Sequence, residues 1–416
     1  MSKEAVMGRR LDGAPTKHHE QQILVDGAEL HVEVQGDGLP LVFVHGLGLQ
    51  AALWNRVCDA LGGGYRLVRL SLRGSPRSRE LDPRELTLER WAADVGGVID
   101  ALELDRPIVV GHSLGGAVAL RFALDRPYTP RAVVLMCTEA NLSNLAPRMR
   151  ASAERIEQEG LEPWLEGPWA ANPPFAAASL ARDPSLLDEY RNLLRENDPR
   201  DYVRQCLAIA SAESLGGRLD EVVAPALVVV GSEDDRTLPE HGRALAAGIL
   251  QGRLVELEGI GHTVPMEAPE ATAEAIESFV AEVAAGANGG ARILRADTTP
   301  RGSRVGPFGH LDTRWVVGPH TGASLISFGQ STYPNGATHE NHYHPNADEV
   351  VMVVQGRGTQ EVGEVSLELG PGDICLIPRS TPHRITGTSA DEDLVILWAF
   401  GGAADMEQAG YVPLPD

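Results

Sequence analysis

Lysine is nearly missing from this 416-residue chain: Lys3 and Lys17 are the only two, and both precede the first strand-like segment. Schiff-base chemistry and a phosphate-loop lysine are therefore not expected in the folded part. Cysteine is scarce as well. Cys58, Cys137, Cys206 and Cys375 stand far apart, with neither metal-finger nor C-x-x-C spacing, which points to a reduced, cytoplasmic setting. No apolar run approaches the length of a membrane span, and the N-terminus lacks the apolar core of a secretion signal. Aromatic residues make up only 5% of the chain, so its cores must rest on Leu, Val, Ala and Ile. Basic residues are outnumbered, 36 against 58 acidic ones, for a net charge of −22. That balance argues against nucleic acid and anionic membranes as partners and leaves uncharged, small or cationic ones, a small-molecule substrate among them.

What is present reads as globular. Apolar residues at 43% and charged residues at 23% are ordinary values, and the length suits two or three domains. Residues 1 to about 20 are polar and expected to fray. From Gln21 onward, strands are predicted at 28–34, 40–44, 65–70, 108–110, 132–136, 226–230 and 253–258, with helices such as 86–102 and 115–124 between them. Short continuous apolar runs suit parallel strands covered on both faces, and their alternation with helices implies a doubly wound, mostly parallel α/β fold. Residues 141–219 interrupt the pattern with Pro-punctuated helical sequence containing Trp164, Trp169 and Phe175. Such an insertion reads as a lid over the active-site edge, with a helical decoration as the alternative. Residues 286–309 read as a linker. From 310 to 416, short strands between Gly, Pro and Asn turns, with no convincing helix, suggest a second, all-β domain.

The first chemical constellation is Val109-Val110-Gly111-His112-Ser113-Leu114-Gly115-Gly116, an apolar strand running into G-x-S-x-G and a small-residue helix start. Glycines on either side of the serine permit a sharp turn that lifts its Oγ above the sheet. The helix behind it aims N–H groups at developing negative charge. His45-Gly46-Leu47-Gly48 ends an earlier strand where a second donor is needed, so the N–H groups of Leu47 and Leu114 would form an oxyanion hole. Downstream, Gly231-Ser232-Glu233-Asp234 and Gly259-Ile260-Gly261-His262 follow strands in the chain order Ser, Asp, His. Residues 46–51 also mimic a dinucleotide fingerprint, but the next strand ends in Ser71 rather than an acid.

On these motifs, residues 21–285 resemble the α/β-hydrolase family. The resemblance implies Ser113 as nucleophile, His262 as general base and Asp234 as the acid that orients it, with Asp235 as the alternative acid. It implies acyl transfer to water on an ester, lactone or thioester without a cofactor, and it leaves C–C bond hydrolysis open. Residues 72–78 depart from the family's Gly-x-Gly turn, a change expected to reshape the loop beside the substrate.

The second constellation begins at Gly336. His342 and His344, two apart in an extended strand, can share one ion. Glu349 is expected to start the next strand, 350–354, returning antiparallel beside them, with Gly356 closing the hairpin. His383 would supply a fourth ligand. The patterns G-x5-H-x-H-x4-E-x6-G from Gly336 to Gly356, and G-x5-P-x4-H from Gly372 to His383, resemble the cupin family over about 310–402. Ser380 and Gly387 replace the usual glycine and asparagine without removing a ligand. The resemblance implies a β-barrel holding one divalent transition metal through His342, His344, Glu349 and His383, with Fe or Mn favoured and Zn or Ni as alternatives. His339 is expected to be exposed, and His310 and His320 receive no role.

Together these readings describe a cytoplasmic, bifunctional enzyme of secondary metabolism. Its lidded hydrolase, an esterase or lactonase, is joined to a cupin of dioxygenase or decarboxylase type, acting on a small apolar metabolite. A homodimer through the cupin is a further expectation. Two alternatives stand beside it: a hydrolase whose cupin dimerises or senses ligand, and an active cupin on a non-catalytic hydrolase scaffold.

Overall fold

The computed structural model describes residues 18–81, 86–127, 129–287, 311–318, 323, 325–334, 336–389, 391–403 and 405–415. They divide into two compact units, one within Met1–Leu219 and Ala224–Val280, the other within Asp220–Val223 and Ala281–Asp416.

The first unit is built on a nine-stranded sheet. Its strands are β1 (His18–Val25), β2 (Ala28–Gln35), β3 (Leu39–Val44), β4 (Tyr65–Leu70), β5 (Arg79–Glu80), β6 (Ile108–His112), β7 (Ala132–Met136), β8 (Ala226–Gly231) and β9 (Gly252–Leu257). The order is β1-β2-β4-β3-β6-β7-β8-β9, with β5 on β2. Pairings from β4 through β9 are parallel, whereas β1 and β5 run antiparallel to β2, and β2 to β4. Every residue of β6, β7 and β8 is buried, as unbroken Val, Ile and Leu runs covered on both faces require. All seven predicted strands are present in this sheet, with ends shifted by no more than two residues.

The expectation that the chain frays to about residue 20 is corrected at its end, because β1 already begins at His18; residues 1–17 lie outside the described residues. The hairpin to β2 explains this. Asp26 and Gly27 both take positive φ (38° and 74°), the backbone that a two-residue turn matched to strand twist demands. An edge strand needs only its pairing and tolerates polar side chains.

Between β7 and β8 lies the helical insertion, with helices Ala146–Glu159, Leu161–Trp164, Ala177–Arg182, Ser185–Arg195 and Pro199–Ser211. Leu186, Tyr190 and Leu194 form the buried stripe of Ser185–Arg195 at four-residue spacing. The helix Pro199–Ser211 starts on an Asp198 side chain that accepts the Arg200 N–H, with proline at its first position. The helix Pro269–Ala287 runs two residues into the stretch expected to be linker. Among the described residues, no helix is long and apolar enough to cross a membrane.

The second unit holds β10 (Asp312–Val317), β11 (Ile326–Tyr333), β12 (His342–Tyr343), β13 (Asp348–Gln355), β14 (Gly358–Val362), β15 (Val365–Leu369), β16 (Ile374–Ile377), β17 (His383–Gly387), β18 (Leu394–Gly401) and β19 (Val412–Pro413). They form two five-stranded antiparallel sheets, ordered β10-β11-β18-β13-β16 and β15-β14-β17-β12-β19. Alternate residues of β18, namely Leu394, Ile396, Trp398 and Phe400, are buried. Trp315 packs edge-on against Trp398 at 4.5 Å between ring centroids.

The expected hairpin of residues 342–356 is corrected. β12 pairs with β17 and β19, whereas β13 pairs with β16 and β18 in the other sheet. A period of two fixes which face a residue presents but not which strand lies beside it. Gly356, at φ 75°, turns the chain from one sheet to the other. A short helix, Met406–Ala409, also stands where none was expected. His310 and His320 lie outside the described residues.

Candidate functional sites

Ser113 stands between β6 and the helix Leu114–Asp125 with φ 54° and ψ −118°, a state a side chain adopts only under constraint. Close packing supplies the constraint. A Cβ at Gly111 would sit 2.1 Å from the Gly115 carbonyl oxygen, and one at Gly115 would sit 2.2 Å from that of Val44. The serine Oγ thereby comes to 3.1 Å from His262 Nε2. His262 Nδ1 lies 2.9 and 3.0 Å from the two oxygens of Asp234. Asp234 also accepts from the Arg236 and Thr237 amides (2.8 and 3.1 Å) and from Thr237 Oγ1 (2.8 Å). Burial opposes its ionisation, but the His262 charge and these hydrogen bonds outweigh it and hold the carboxyl below its ordinary range. The structure brings Asp234, and not Asp235, to the imidazole. Asp235 is exposed and accepts from Asn172 Nδ2 at 3.0 Å.

The amides of Leu47 and Leu114 border the same cavity, and neither is taken by a hydrogen bond among the described residues. The cavity has a volume of about 390 Å³ and is walled by Trp164, Trp169, Tyr190 and Tyr202 of the helical insertion. Residues 72–78 do not line it, contrary to expectation. That loop is anchored elsewhere. Arg73 is buried on Asp94 (2.6 and 3.0 Å), and the Leu72 amide donates to His45 Nε2 at 2.9 Å.

Several residues to which the sequence reading gave no role hold these groups in place. His45 donates from Nδ1 to the Gly46 carbonyl (2.8 Å) and is fully buried, which pushes it down to about 4. Asn197 donates to the Gly48 carbonyl (2.7 Å), and Gln205 accepts from the Gly48 amide (3.1 Å), tying the Leu47 loop to the insertion. His112 donates from Nε2 to the His262 carbonyl at 2.8 Å. The buried Glu267 accepts from the amides of Gly261 (2.9 Å), Thr263 (3.0 Å) and Ala176 (3.0 Å), on both sides of His262. Gln205 interrupts an apolar helix face, a signal the sequence does carry; Glu267 offers no comparable one.

In the second unit, His342 and His383 are register partners across one sheet, His344 follows β12, and Glu349 reaches in from β13 of the other. The four ligand atoms lie within 4.8 Å of one another, and all four residues are deeply set. Each imidazole donates its Nδ1–H to a backbone carbonyl: His342 to Glu340 (2.8 Å), His344 to Gly410 (2.5 Å) and His383 to Thr381 (2.9 Å). That arrangement leaves the Nε2 lone pairs free. Burial pushes His342 down to about 2 and lowers His344, keeping both in the neutral form a metal requires. Burial opposes the charge of His383 too, but the adjoining Glu349 carboxylate outweighs it and raises this group.

Glu349 Oε2 and His383 Nε2 are buried and paired as ions at 2.9 Å, but without hydrogen-bond geometry. Buried polar atoms lacking a hydrogen bond cost about 1–3 kcal/mol each, and a shared cation could serve both. Three imidazoles and a carboxylate form a donor set suited to a divalent transition ion, so these residues fit one. The cavity beside them measures about 30 Å³.

His339 corrects an expectation. It is buried, with 6% of its surface exposed, and its ring lies 4.3 Å from that of His342. Its amide donates to the Ile385 carbonyl (3.0 Å), which draws the side chain inward. Tyr411, in the terminal stretch, stacks on His342 at 4.6 Å and escaped notice because no motif covers it.

A family model described as the alpha/beta hydrolase family matches residues 41–275, and one described as a cupin domain matches residues 329–400. A 2-hydroxy-6-oxononadienedioate/2-hydroxy-6-oxononatrienedioate hydrolase of Paraburkholderia xenovorans is 28% identical over 61% of this chain and 91% of its own. Among solved structures, a thermophilic esterase from Thermogutta terrifontis is 26% identical with a TM-score of 0.58, covering 64% of this chain and 99% of its own. An enol-lactonase from Burkholderia xenovorans is 28% identical with a TM-score of 0.56, covering 62% and 98%.

Proposed function

Because the chain belongs to the alpha/beta hydrolase family, with a cupin domain following, we propose that Ser113, His262 and Asp234 are the catalytic triad of a serine hydrolase cleaving small carboxylic esters or lactones. The observation that carries this reading is the unbroken relay of 3.1 and 2.9 Å from Ser113 through His262 to Asp234. The esterase and enol-lactonase relatives support the ester or lactone class.

Ser113 Oγ attacks the carbonyl carbon and passes its proton to His262 Nε2. The carbonyl π pair moves onto oxygen, where the Leu47 and Leu114 amides receive it. Collapse breaks the C–O bond, and the imidazolium protonates the departing alkoxide. Water then attacks the acyl-enzyme, gives its proton to His262, and releases the acid with Ser113 restored. Asp234 holds the imidazole in the required tautomer throughout. Ser113→Ala tests this reading: loss of ester hydrolysis with an unchanged unfolding transition supports it, and retained hydrolysis rejects it.

His342, His344, Glu349 and His383 hold one divalent transition ion, Fe or Mn before Zn or Ni, inside what we read as a cupin barrel spanning 310–416. A bound Fe or Mn supplies the redox chemistry of an oxygenase or decarboxylase, which makes the chain bifunctional. The chain's own part is to keep three Nε2 lone pairs and one carboxylate facing a common point. The cavity of about 30 Å³ favours a second reading, in which the ion joins the two sheets and Ser113 carries all the chemistry. Elemental analysis with an oxygen-uptake assay separates them: iron or manganese with substrate-dependent uptake supports the first reading, and zinc without uptake the second. The insertion at 141–219 serves as the lid in either case, and the four buried free thiols suit a cytoplasmic setting.

A further inference from the structure

The cavity above Ser113 has a charge pattern opposite to that of the chain. The protein carries 58 acidic residues against 36 basic ones, yet among the described residues no carboxylate lines this cavity and three arginines do. Two of them are engaged. Arg155 donates to Glu159 at 2.9 Å, and Arg236 lies 3.3 Å from Asp235 and also donates to the Asn172 carbonyl. Arg148 makes no hydrogen bond or ion pair among the described residues. It sits in the helix Ala146–Glu159, where four- and seven-residue spacing places Ser152 and Arg155 on its face, and all three border the cavity.

The rest of the wall is apolar, aromatic or neutral polar (Thr138, Ser152, Asn172, Thr237), so the exposed Arg148 stands at the cavity without a carboxylate partner among the described residues. Burial raises the Tyr190 and Tyr202 hydroxyls, and the positive charge of Arg148 works against that rise, so its field reaches the aromatic wall. A solvent-exposed guanidinium with no carboxylate partner, set at the rim of a cavity, attracts anions and repels cations. Its planar fork matches a carboxylate.

We propose that the substrate is an anionic ester or lactone, with a carboxylate held by Arg148 and the scissile carbonyl at Ser113. This rests on the hydrolase reading above and narrows it. The apolar wall takes the carbon chain between the two ends, and a neutral ester of equal length loses the charge-assisted contact while keeping the apolar one.

Rates of acid release from the monoethyl esters of succinate, glutarate and adipate, set against ethyl butyrate, valerate and hexanoate, test the proposal. At the best-fitting length, the anionic ester is favoured in kcat/KM by at least about tenfold. Arg148→Gln reduces that ratio at least about tenfold, Arg148→Lys retains most of it, and added salt weakens it. Equal values in the wild type, or a preference that survives Arg148→Gln, overturns the proposal. Affinities of the same ester pairs for Ser113→Ala give a reading without turnover. A tighter anionic ester there supports the proposal even if the wild type hydrolyses neither, an outcome that would reject only the hydrolase reading. Equal affinities reject the anion site and leave the hydrolase reading intact.

Discussion

The two sites solve the burial of polar groups in opposite ways. Around Ser113, every polar atom of the relay has a protein partner: Asp234 takes His262, two amides and the Thr237 hydroxyl, and both imidazole nitrogens are engaged. In the second unit the Nδ1 atoms are satisfied, but Glu349 Oε2 and His383 Nε2 meet without a hydrogen bond. The first arrangement is complete in the chain's own hydrogen bonds; the second leaves donors that a cation could join. Space differs as well, about 390 Å³ against about 30 Å³. One site has room for an organic molecule, and the other has donors that could hold an ion.

The largest effect that would sharpen this contrast is in Ser113→Ala, which should lower ester kcat by about 10⁴–10⁶ while leaving metal content unchanged. Asp234→Asn should lower kcat by about 10⁴, because the tautomer is then no longer fixed. A smaller drop, with Asp235→Asn matching it, would move the acid one residue along.

Acid stability is the next effect. Burial pushes His45 to about 4 and His112 to about 3, whereas both titrate near 6.5 when unfolded. The unfolded chain therefore binds more protons below that pH. The stability present above pH ~6.5 is lost as pH falls toward the folded values, at about 1.4 kcal/mol per pH unit for each histidine. Denaturant unfolding of the first unit at pH 6.5 and 5 should differ by about 3 kcal/mol from these two groups. His112→Asn should halve that slope. The smallest effect is expected in Glu349→Gln, where metal affinity should fall about 100-fold with the unfolding of the first unit unchanged.

Much of the first unit was legible because its signals are local. Unbroken runs such as Val133-Val134-Leu135 name a central parallel strand, and Gly111 and Gly115 around Ser113 are required by contacts of 2.1–2.2 Å. β1 was missed because His18-His19-Glu20 looks like a solvated tail, although the Asp26-Gly27 turn behind it encodes the hairpin. In the second unit the four clustered residues could be read, but their assembly could not. His342 and Glu349 meet across two sheets, and sheet membership depends on partners dozens of residues away. Glu267 and Tyr411 were invisible for the same reason: their meaning lies entirely in what folds onto them.

The central claim is that one site is complete without an ion and the other is not. It is tested by stripping the purified full chain with a chelator and measuring metal content and ester hydrolysis on the same sample. The account predicts about one transition ion per chain lost, with kcat for the ester unchanged. Hydrolysis that falls in proportion to the metal removed, and returns with it, would contradict the account.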